Sequence, residues 1–196
     1  MNFAEYNVKD ANLEEVLLAL KSLDTVEAVA LGGSRSTGAS DENSDYDIYV
    51  YCAEIPTAET RENLLGKYCS IAEFGNHYWE SEDNTVMNNG VPVDIIYREV
   101  DRFGRYIDTV IKGGKAFNGY TTAFWHNIKN SKVLFDKTGT FTKFRDMAQI
   151  DFPENLRSAI IKNNRNLLNG KLPSYDRQIK KAQERGDIVS VNHRIT

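Results

Sequence analysis

Asp45 and Asp47, separated by one tyrosine, are the residues of this sequence whose types and spacing are best suited to chemistry. On a β-strand both carboxylates would share one face, while Tyr46 and Ile48 would point to the other. Two like charges on one face disfavour a sheet unless a cation or water screens them. Oxygen ligands of this kind suit Mg²⁺, so the pair predicts a metal site.

A third carboxylate, Asp94, lies between Val93 and Ile95 in the apolar segment VPVDIIY. An acidic side chain in an otherwise buried strand is costly unless it faces a pocket or pairs with a charge. On a neighbouring strand, Asp94 would join Asp45 and Asp47. The three aspartates are therefore the predicted catalytic and metal-binding residues.

A glycine turn, Gly32 and Gly33, follows the strand-like segment TVEAVAL and precedes a short helix. Glycine allows backbone conformations and close approaches that a side chain would block. Gly33, the Ser34 hydroxyl and the following amides would hold a phosphate, and Arg35 would add positive charge. Gly32, Gly33, Ser34 and Arg35 are therefore the predicted nucleotide-binding residues.

The ordered combination of Leu31, Gly-Gly-Ser, ten further residues and the segment DYDI resembles the signature of the nucleotidyltransferase superfamily. This superfamily includes DNA polymerase β, antibiotic-modifying enzymes and the minimal nucleotidyltransferases of toxin–antitoxin pairs. The matching region covers about residues 26–97. The resemblance implies that Gly33 and Ser34 contact the β- and γ-phosphates of an NTP, and that Asp45 and Asp47 hold Mg²⁺. It implies that Asp94 is either a ligand of a second metal or the base that takes the acceptor proton.

The activity that this resemblance implies is transfer of a nucleoside monophosphate, AMP from ATP or another NTP, to a hydroxyl, with release of pyrophosphate. The expected acceptor is a small molecule such as an aminoglycoside- or lincosamide-like antibiotic, with Glu73, Glu80, Glu82 and Asp83 as candidates for an acidic pocket. Two alternatives stay open: a protein-modifying (AMPylating) minimal nucleotidyltransferase, and a non-catalytic nucleotide-binding module. The intact aspartate triad argues against the second.

The elements that must position these residues follow from hydrophobic periodicity. Helices are predicted over 10–23 and 57–66, and strands over 25–31, 46–52, 67–74 and 132–137. Residues 83–100 contain two β-rich arms joined by Asn-Asn-Gly, which favours a hairpin. This order predicts an α/β (α+β) fold in which a mixed sheet is flanked by helices.

Helical patterns dominate from Asp101 onward. We predict an α/β domain over 1–150 and a helical C-terminal segment over 151–196; a break near Gly113-Gly114 is the less favoured alternative. The final residues end within an apolar pattern, so we expect this segment to be incomplete or completed by a partner.

The composition limits the classes of function. The net charge of −4 argues against broad neutralisation of a nucleic-acid backbone. No apolar run is long enough to span a bilayer, and the N-terminus lacks a secretory pattern, so a cytoplasmic location is expected. Neither the P-loop motif nor the dinucleotide-binding G-x-G-x-x-G motif occurs. A homo-oligomer is left open.

Several other residues are expected to have structural rather than catalytic roles. We interpret Cys52 and Cys69 as buried, reduced thiols. The isolated histidines are expected to pack or lie at the surface: His77, His126 and His193. Tyr78 and Trp79 would either stack on a ligand or pack in the protein, and packing is favoured. The basic stretch over 176–185 is expected to form a solvated helix face.

Overall fold

A six-stranded mixed sheet forms the centre of the N-terminal part of the chain. The computed structural model describes residues 8–41, 44–119, 121–170 and 172–195. The strands are β1 (Val26–Leu31), β2 (Tyr46–Cys52), β3 (Cys69–Asn76), β4 (Ser81–Met87), β5 (Pro92–Glu99) and β6 (Lys132–Asp136). They lie in the order β3-β4-β5-β2-β1-β6. β2 and β5 pair in parallel and the other neighbours pair antiparallel, so the predicted mixed sheet is confirmed.

Helices flank this sheet and dominate the C-terminal part. They are α1 (Ala11–Lys21), α2 (Gly33–Thr37), α3 (Ala58–Leu65), α4 (Val100–Ile111), α5 (Ala123–Asn130), α6 (Thr140–Ala148), α7 (Glu154–Arg165), α8 (Tyr175–Glu184) and α9 (Ile188–Ile195). The Asp10 side chain caps α1 by accepting hydrogen bonds from the backbone N–H groups of Asn12 and Leu13. Within the described residues, no helix is both long and apolar enough to cross a membrane.

The two faces of the sheet pack differently because side chains alternate along each strand. On one face, Ile48 and Val50 of β2 and Ile95 of β5 belong to a core cluster that also contains the apolar side of α1. On the other face, Tyr51 makes edge-to-face ring contacts with Phe103 and Phe141. The aromatic contacts therefore lie near the end of β2, and Asp47 lies on the same face near its beginning.

The hairpin between β4 and β5 forms as predicted. Gly90 has a left-handed φ of 85°, and the Met87 N–H donates to the Val91 carbonyl at 2.9 Å. The start of β3 differs from the prediction: residues Gly66–Tyr68 form a 3₁₀ turn, and the strand begins at Cys69. The continuation of the helical hydrogen bonding beyond Leu65 delays the extended backbone.

The chain divides into two compact units. The first comprises the residues up to Ile107 together with Phe124–Gln149, and the second comprises Asp108–Ala123 together with the residues from Ile150. One point of division adjoins the predicted boundary at 150, whereas 108–123 falls inside the predicted N-terminal domain. The assignment of domains 1–150 and 151–196 stays a prediction.

The second unit contains α7, α8 and α9. The Arg194 side chain of α9 donates to Gln178 Oε1 of α8 at 2.7 Å, and Asn163 of α7 donates to Asn118 Oδ1 at 2.9 Å. The basic residues of α8 are exposed, as predicted for a solvated face. Exposed apolar side chains also lie on this unit: Ile161, Leu168, Leu172, Ile188, Val189 and Ile195.

Candidate active site

The parallel pairing of β2 and β5 brings two of the predicted aspartates side by side. Asp47 and Asp94 are Cα partners in this ladder, and alternation places both side chains on the face opposite Ile48 and Ile95. Asp45 comes directly before the first residue of β2. All three aspartates are partly exposed, so they are accessible to a ligand.

The electrostatics of this face are dominated by negative charge. Burial, and then the neighbouring carboxylates of Asp45 and Asp94, raise the pKa of Asp47 from 3.8 to about 6. Burial, and then the carboxylates of Asp94 and Glu80, also raise the pKa of Glu82 on β4. A cation bound here would relieve repulsion between groups that the fold holds together.

The glycine turn lies against Asp47. The Gly32 N–H donates to the Asp47 carbonyl at 2.8 Å. Gly33 has a φ of 60°, and a Cβ added there would lie 1.7 Å from Asp47 Oδ2. The buried Ser36 hydroxyl of α2 donates to the Gly33 carbonyl at 2.8 Å. Only glycine satisfies both the backbone conformation and the close approach at position 33, so the turn and the carboxylate are built as one unit.

Tyr49, which was not among the residues predicted for the site, packs against the glycine turn. A Cβ at Gly32 would lie 2.2 Å from the Tyr49 ring, so the ring packs against the bare backbone. Asn127 donates to the Tyr49 hydroxyl at 3.0 Å, and the Arg98 guanidinium lies 4.1 Å from the ring centroid. Burial raises the pKa of Tyr49 to about 12, so this phenol stays neutral.

Arg35 has a role that the sequence did not predict. Its Nε donates to the carbonyls of Ser44 at 3.0 Å and Asp45 at 2.9 Å, and its guanidinium stacks 4.1 Å from the Tyr46 ring centroid. Arg35 therefore fastens α2 to the segment that carries Asp45. A contact between Arg35 and a phosphate stays a prediction, as do the phosphate contacts of Gly32, Gly33 and Ser34.

Asn84 of β4 is a second residue that the sequence reasoning missed. Asn84 and Asp94 are partners in the antiparallel ladder, and the Asn84 amide donates to Asp94 Oδ1 at 2.9 Å. A signal was present: a three-residue loop at 88–90, closed by the hydrogen bond between Met87 and Val91, fixes the hairpin register. Counting back from it places Asn84 opposite Asp94.

The acidic pocket suggested by the sequence is not formed by all four candidates. Asp83 is buried on the opposite face, where it pairs with Arg61 at 3.0 Å. Glu80 pairs with Arg98 at 2.7 Å. Asp83 and Glu80 are therefore engaged by buried arginines and do not line an acidic acceptor pocket. Glu73 and Glu82 remain as candidates beside Asn84.

The aromatic, cysteine and histidine side chains for which structural roles were predicted differ in how exposed they are. Tyr78 and Trp79 are 69% and 87% exposed, which excludes packing in the core for both; packing within the loop between β3 and β4 stays a prediction. Cys52 is buried as predicted, whereas Cys69 is only partly buried. The three histidines are exposed.

The donor set fits Mg²⁺ in chemistry. The aspartates offer only oxygen ligands. Burial, and then the neighbouring carboxylates of Asp45 and Asp94, raise the pKa of Asp47, and a divalent ion would neutralise this negative charge. Among the residues described, no group of three or more His, Cys, Asp or Glu side chains forms a ready-made metal cluster. Mg²⁺ typically uses one or two carboxylates plus phosphate and water oxygens, so Asp45, Asp47 and Asp94 stay the predicted ligands for a metal that arrives with its nucleotide.

A pH-dependent stability difference is expected from Asp47. Its folded-state pKa lies above 3.8, so the native state holds the proton more tightly, and stability falls as the pH rises from about 4 to 6. Without metal, Asp47→Asn should therefore be more stable than wild type above pH 6, by on the order of 1–2 kcal/mol for this partly exposed group. The difference should vanish near pH 4. Urea unfolding in EDTA across this range measures it, and a variant less stable at every pH would contradict the expectation.

Comparison with known proteins identifies the class. A family model described as a nucleotidyltransferase domain matches residues 13–117, more than half of the chain. The chain belongs to this family, which confirms the resemblance seen in the sequence. A comparison with curated proteins finds no significant match.

Two solved structures show distant similarity. Cid1, solved in complex with its short product ApU, is 17% identical over 53% of this chain and 35% of its own, with a TM-score of 0.36. A toxin–antitoxin structure solved with AMP-PNP is 15% identical over 90% of this chain and 96% of its own, with a TM-score of 0.38. This chain thus spans about a third of the length of the Cid1 chain. Neither similarity bears on the acceptor of this protein.

Proposed function

We propose that this protein is a Mg²⁺-dependent nucleotidyltransferase that moves a nucleoside monophosphate, AMP from ATP, to a hydroxyl of a small-molecule acceptor. The observation that carries the proposal is the assembly of Gly33, Asp47 and Asp94. Gly33 lies against the Asp47 carboxylate, and Asp94 is the partner of Asp47 on the adjacent parallel strand. The glycine turn and two carboxylates thereby share one end of the sheet.

In this proposal, separate residues bind the phosphates, hold the metal and position the site. The Gly33 backbone and the Ser34 hydroxyl bind the β- and γ-phosphates. Asp45 and Asp47, with Asp94 as a further candidate, are the residues that would hold Mg²⁺. When bound, Mg²⁺ neutralises phosphate charge and aligns the attacking and leaving oxygens. Arg35 and Tyr49 fix the segment of Asp45 and the glycine turn, so the site is preorganised.

The transfer forms one bond to phosphorus, breaks one and releases one proton. The acceptor hydroxyl oxygen forms a bond to the α-phosphorus, and the bond from that phosphorus to pyrophosphate breaks. The hydroxyl proton goes to a base, for which Asp94 is the candidate. If Asp94 acts only as a ligand, water takes the proton.

Nucleotide binding is expected to raise the melting temperature of the wild type in the presence of Mg²⁺. At 100 times the dissociation constant the gain is about 2.7 kcal/mol, or roughly 5–10 °C for a chain of this size. The measurement is thermal unfolding with each of the four NTPs, with and without Mg²⁺. ATP should give the largest shift, Asp47→Asn should lose it, and the exposed-residue control Asp146→Asn should keep it.

The outcomes separate the remaining functions. A Mg²⁺-dependent shift followed by pyrophosphate release in a screen of small hydroxylated molecules supports the proposal. Release only with a protein acceptor would indicate a protein-modifying enzyme. A shift without any release would indicate a nucleotide-binding module, and no shift with any NTP would overturn the proposal.

A further inference from the structure

A chain of side-chain hydrogen bonds crosses three strands and ends on Asp94. Asn76 Nδ2, on β3, donates to Glu73 Oε2 at 3.3 Å and to Asn84 Oδ1 at 2.8 Å. Asn84 Nδ2, on β4, donates in turn to Asp94 Oδ1 at 2.9 Å. Asn76, Asn84 and Asp94 are all partly buried, which limits competition from water.

The chemistry at the two ends fixes the direction of this chain. A carboxylate only accepts hydrogen bonds, so Glu73 requires a donor from Asn76, and Asp94 requires a donor from Asn84. Rotating the Asn84 amide by 180° would set its oxygen against Asp94 Oδ1 and its NH₂ group against the NH₂ group of Asn76. Both bonds would be lost at once, so the amide of Asn84 has a single favourable orientation.

The hydrogen bond from Asn84 fixes the orientation of the Asp94 carboxylate. Free carboxylates rotate broadly about their terminal torsion, whereas a donor held at 2.9 Å on Oδ1 selects one orientation of this group. Oδ1 is engaged by an uncharged donor, and no hydrogen bond to Oδ2 is found among the residues that the structure describes, so Oδ2 is the oxygen available to a ligand. One oxygen is then presented in a defined direction to a metal ion or to an acceptor hydroxyl.

We infer that Asn84 is a positioning residue, which binds Oδ1 of Asp94 so that the carboxylate acts through Oδ2 rather than as a two-oxygen chelate. Asn84 acts through Asp94 and does not itself touch the nucleotide. This inference rests on the proposed function. Groups that orient metal ligands in this way typically contribute 10- to 100-fold to metal affinity or activity.

The test uses Asn84→Ala and, as a matched control, Asn76→Ala. The two substitutions are chemically identical and remove neighbouring links of the same hydrogen-bond chain, but only the first removes the bond to Asp94. The probe is Mn²⁺ with ATP, whose ternary complex with the full chain is detected by enhanced relaxation of water protons. Asn84→Leu, which keeps the volume without the donor, serves if the alanine variant fails to fold.

The ternary complex of Asn84→Ala should be 10- to 100-fold weaker than that of wild type, and that of Asn76→Ala should stay within about threefold. Unchanged melting temperatures without metal would show that the loss does not come from unfolding. If wild type binds and Asn84→Ala binds equally well, or if both variants weaken equally, this inference alone is overturned. If wild type forms no ternary complex, the proposed function fails and the inference fails with it.

Discussion

Asp45→Asn and Asp47→Asn are each expected to lower nucleotidyl transfer by on the order of 10³-fold or more while leaving the protein folded. Removing one ligand charge costs several kcal/mol of transition-state stabilisation, and each 1.36 kcal/mol is tenfold in rate. The fold should survive because both side chains are partly exposed, and because burial and then the neighbouring carboxylates disfavour the charged form of Asp47 in wild type and raise its pKa. The measurement is pyrophosphate release at saturating NTP and Mg²⁺ with the acceptor found by screening.

The control for this result is Asp146→Asn, an identical change at an exposed position of α6. It should retain wild-type turnover. Circular dichroism should show native structure in both site variants, since the loss is assigned to chemistry. Unfolding of Asp45→Asn and Asp47→Asn would count against a site role, and so would a loss of less than tenfold in both.

Gly33→Ala should abolish the nucleotide-dependent stabilisation and reduce turnover at least 100-fold. The new Cβ would lie 1.7 Å from Asp47 Oδ2, so either the turn or the carboxylate must move away from its position. A left-handed φ of 60° also costs an alanine about 1–2 kcal/mol. Thermal unfolding with Mg²⁺ and ATP separates the loss of binding from the loss of stability.

Gly38→Ala is the matched control, because the chain offers the same strain without the contact. Gly38 has a φ of 78° and no atom within 4 Å of an added Cβ. This variant should lose a similar amount of stability and yet keep its response to ATP. Equal responses from the two alanine variants would mean that the approach of Gly33 to Asp47 does not matter.

Much of this architecture could be predicted from the sequence because its signals are local. Alternation in DYDIYVY placed Ile48 and Val50 in the core, and the Asn-Gly pair fixed the hairpin that brings β5 beside β4. The spacing from the glycine turn to Asp45 predicted the family that the match over 13–117 confirms. Periods and turns are set by neighbouring residues, which the sequence displays directly.

What could not be predicted depends on which strands become neighbours. The partnership of Asp47 with Asp94 is set by a parallel register between segments that are distant in the chain. Arg35 carries a charge suited to a phosphate, but the backbone carbonyls of Ser44 and Asp45 engage it. Asp83 looked available until strand parity placed it beside Arg61. Side-chain direction is decided by three-dimensional competition for partners, so residue type alone did not reveal it.

The parallel pairing of β2 with β5 also bears on how the protein reaches its native state. β1 and β2 are joined through a segment that contains α2, whereas β2 and β5 are separated in the chain by the longer segment that contains α3, β3 and β4. Closing so long a loop is entropically slow. We therefore expect Asp47 and Asp94 to come together later in folding than β1 and β2 do. A nascent chain that ends before β5 contains the glycine turn, Asp45 and Asp47 but lacks Asp94, so the three predicted metal ligands are brought together only after β5 has been synthesised.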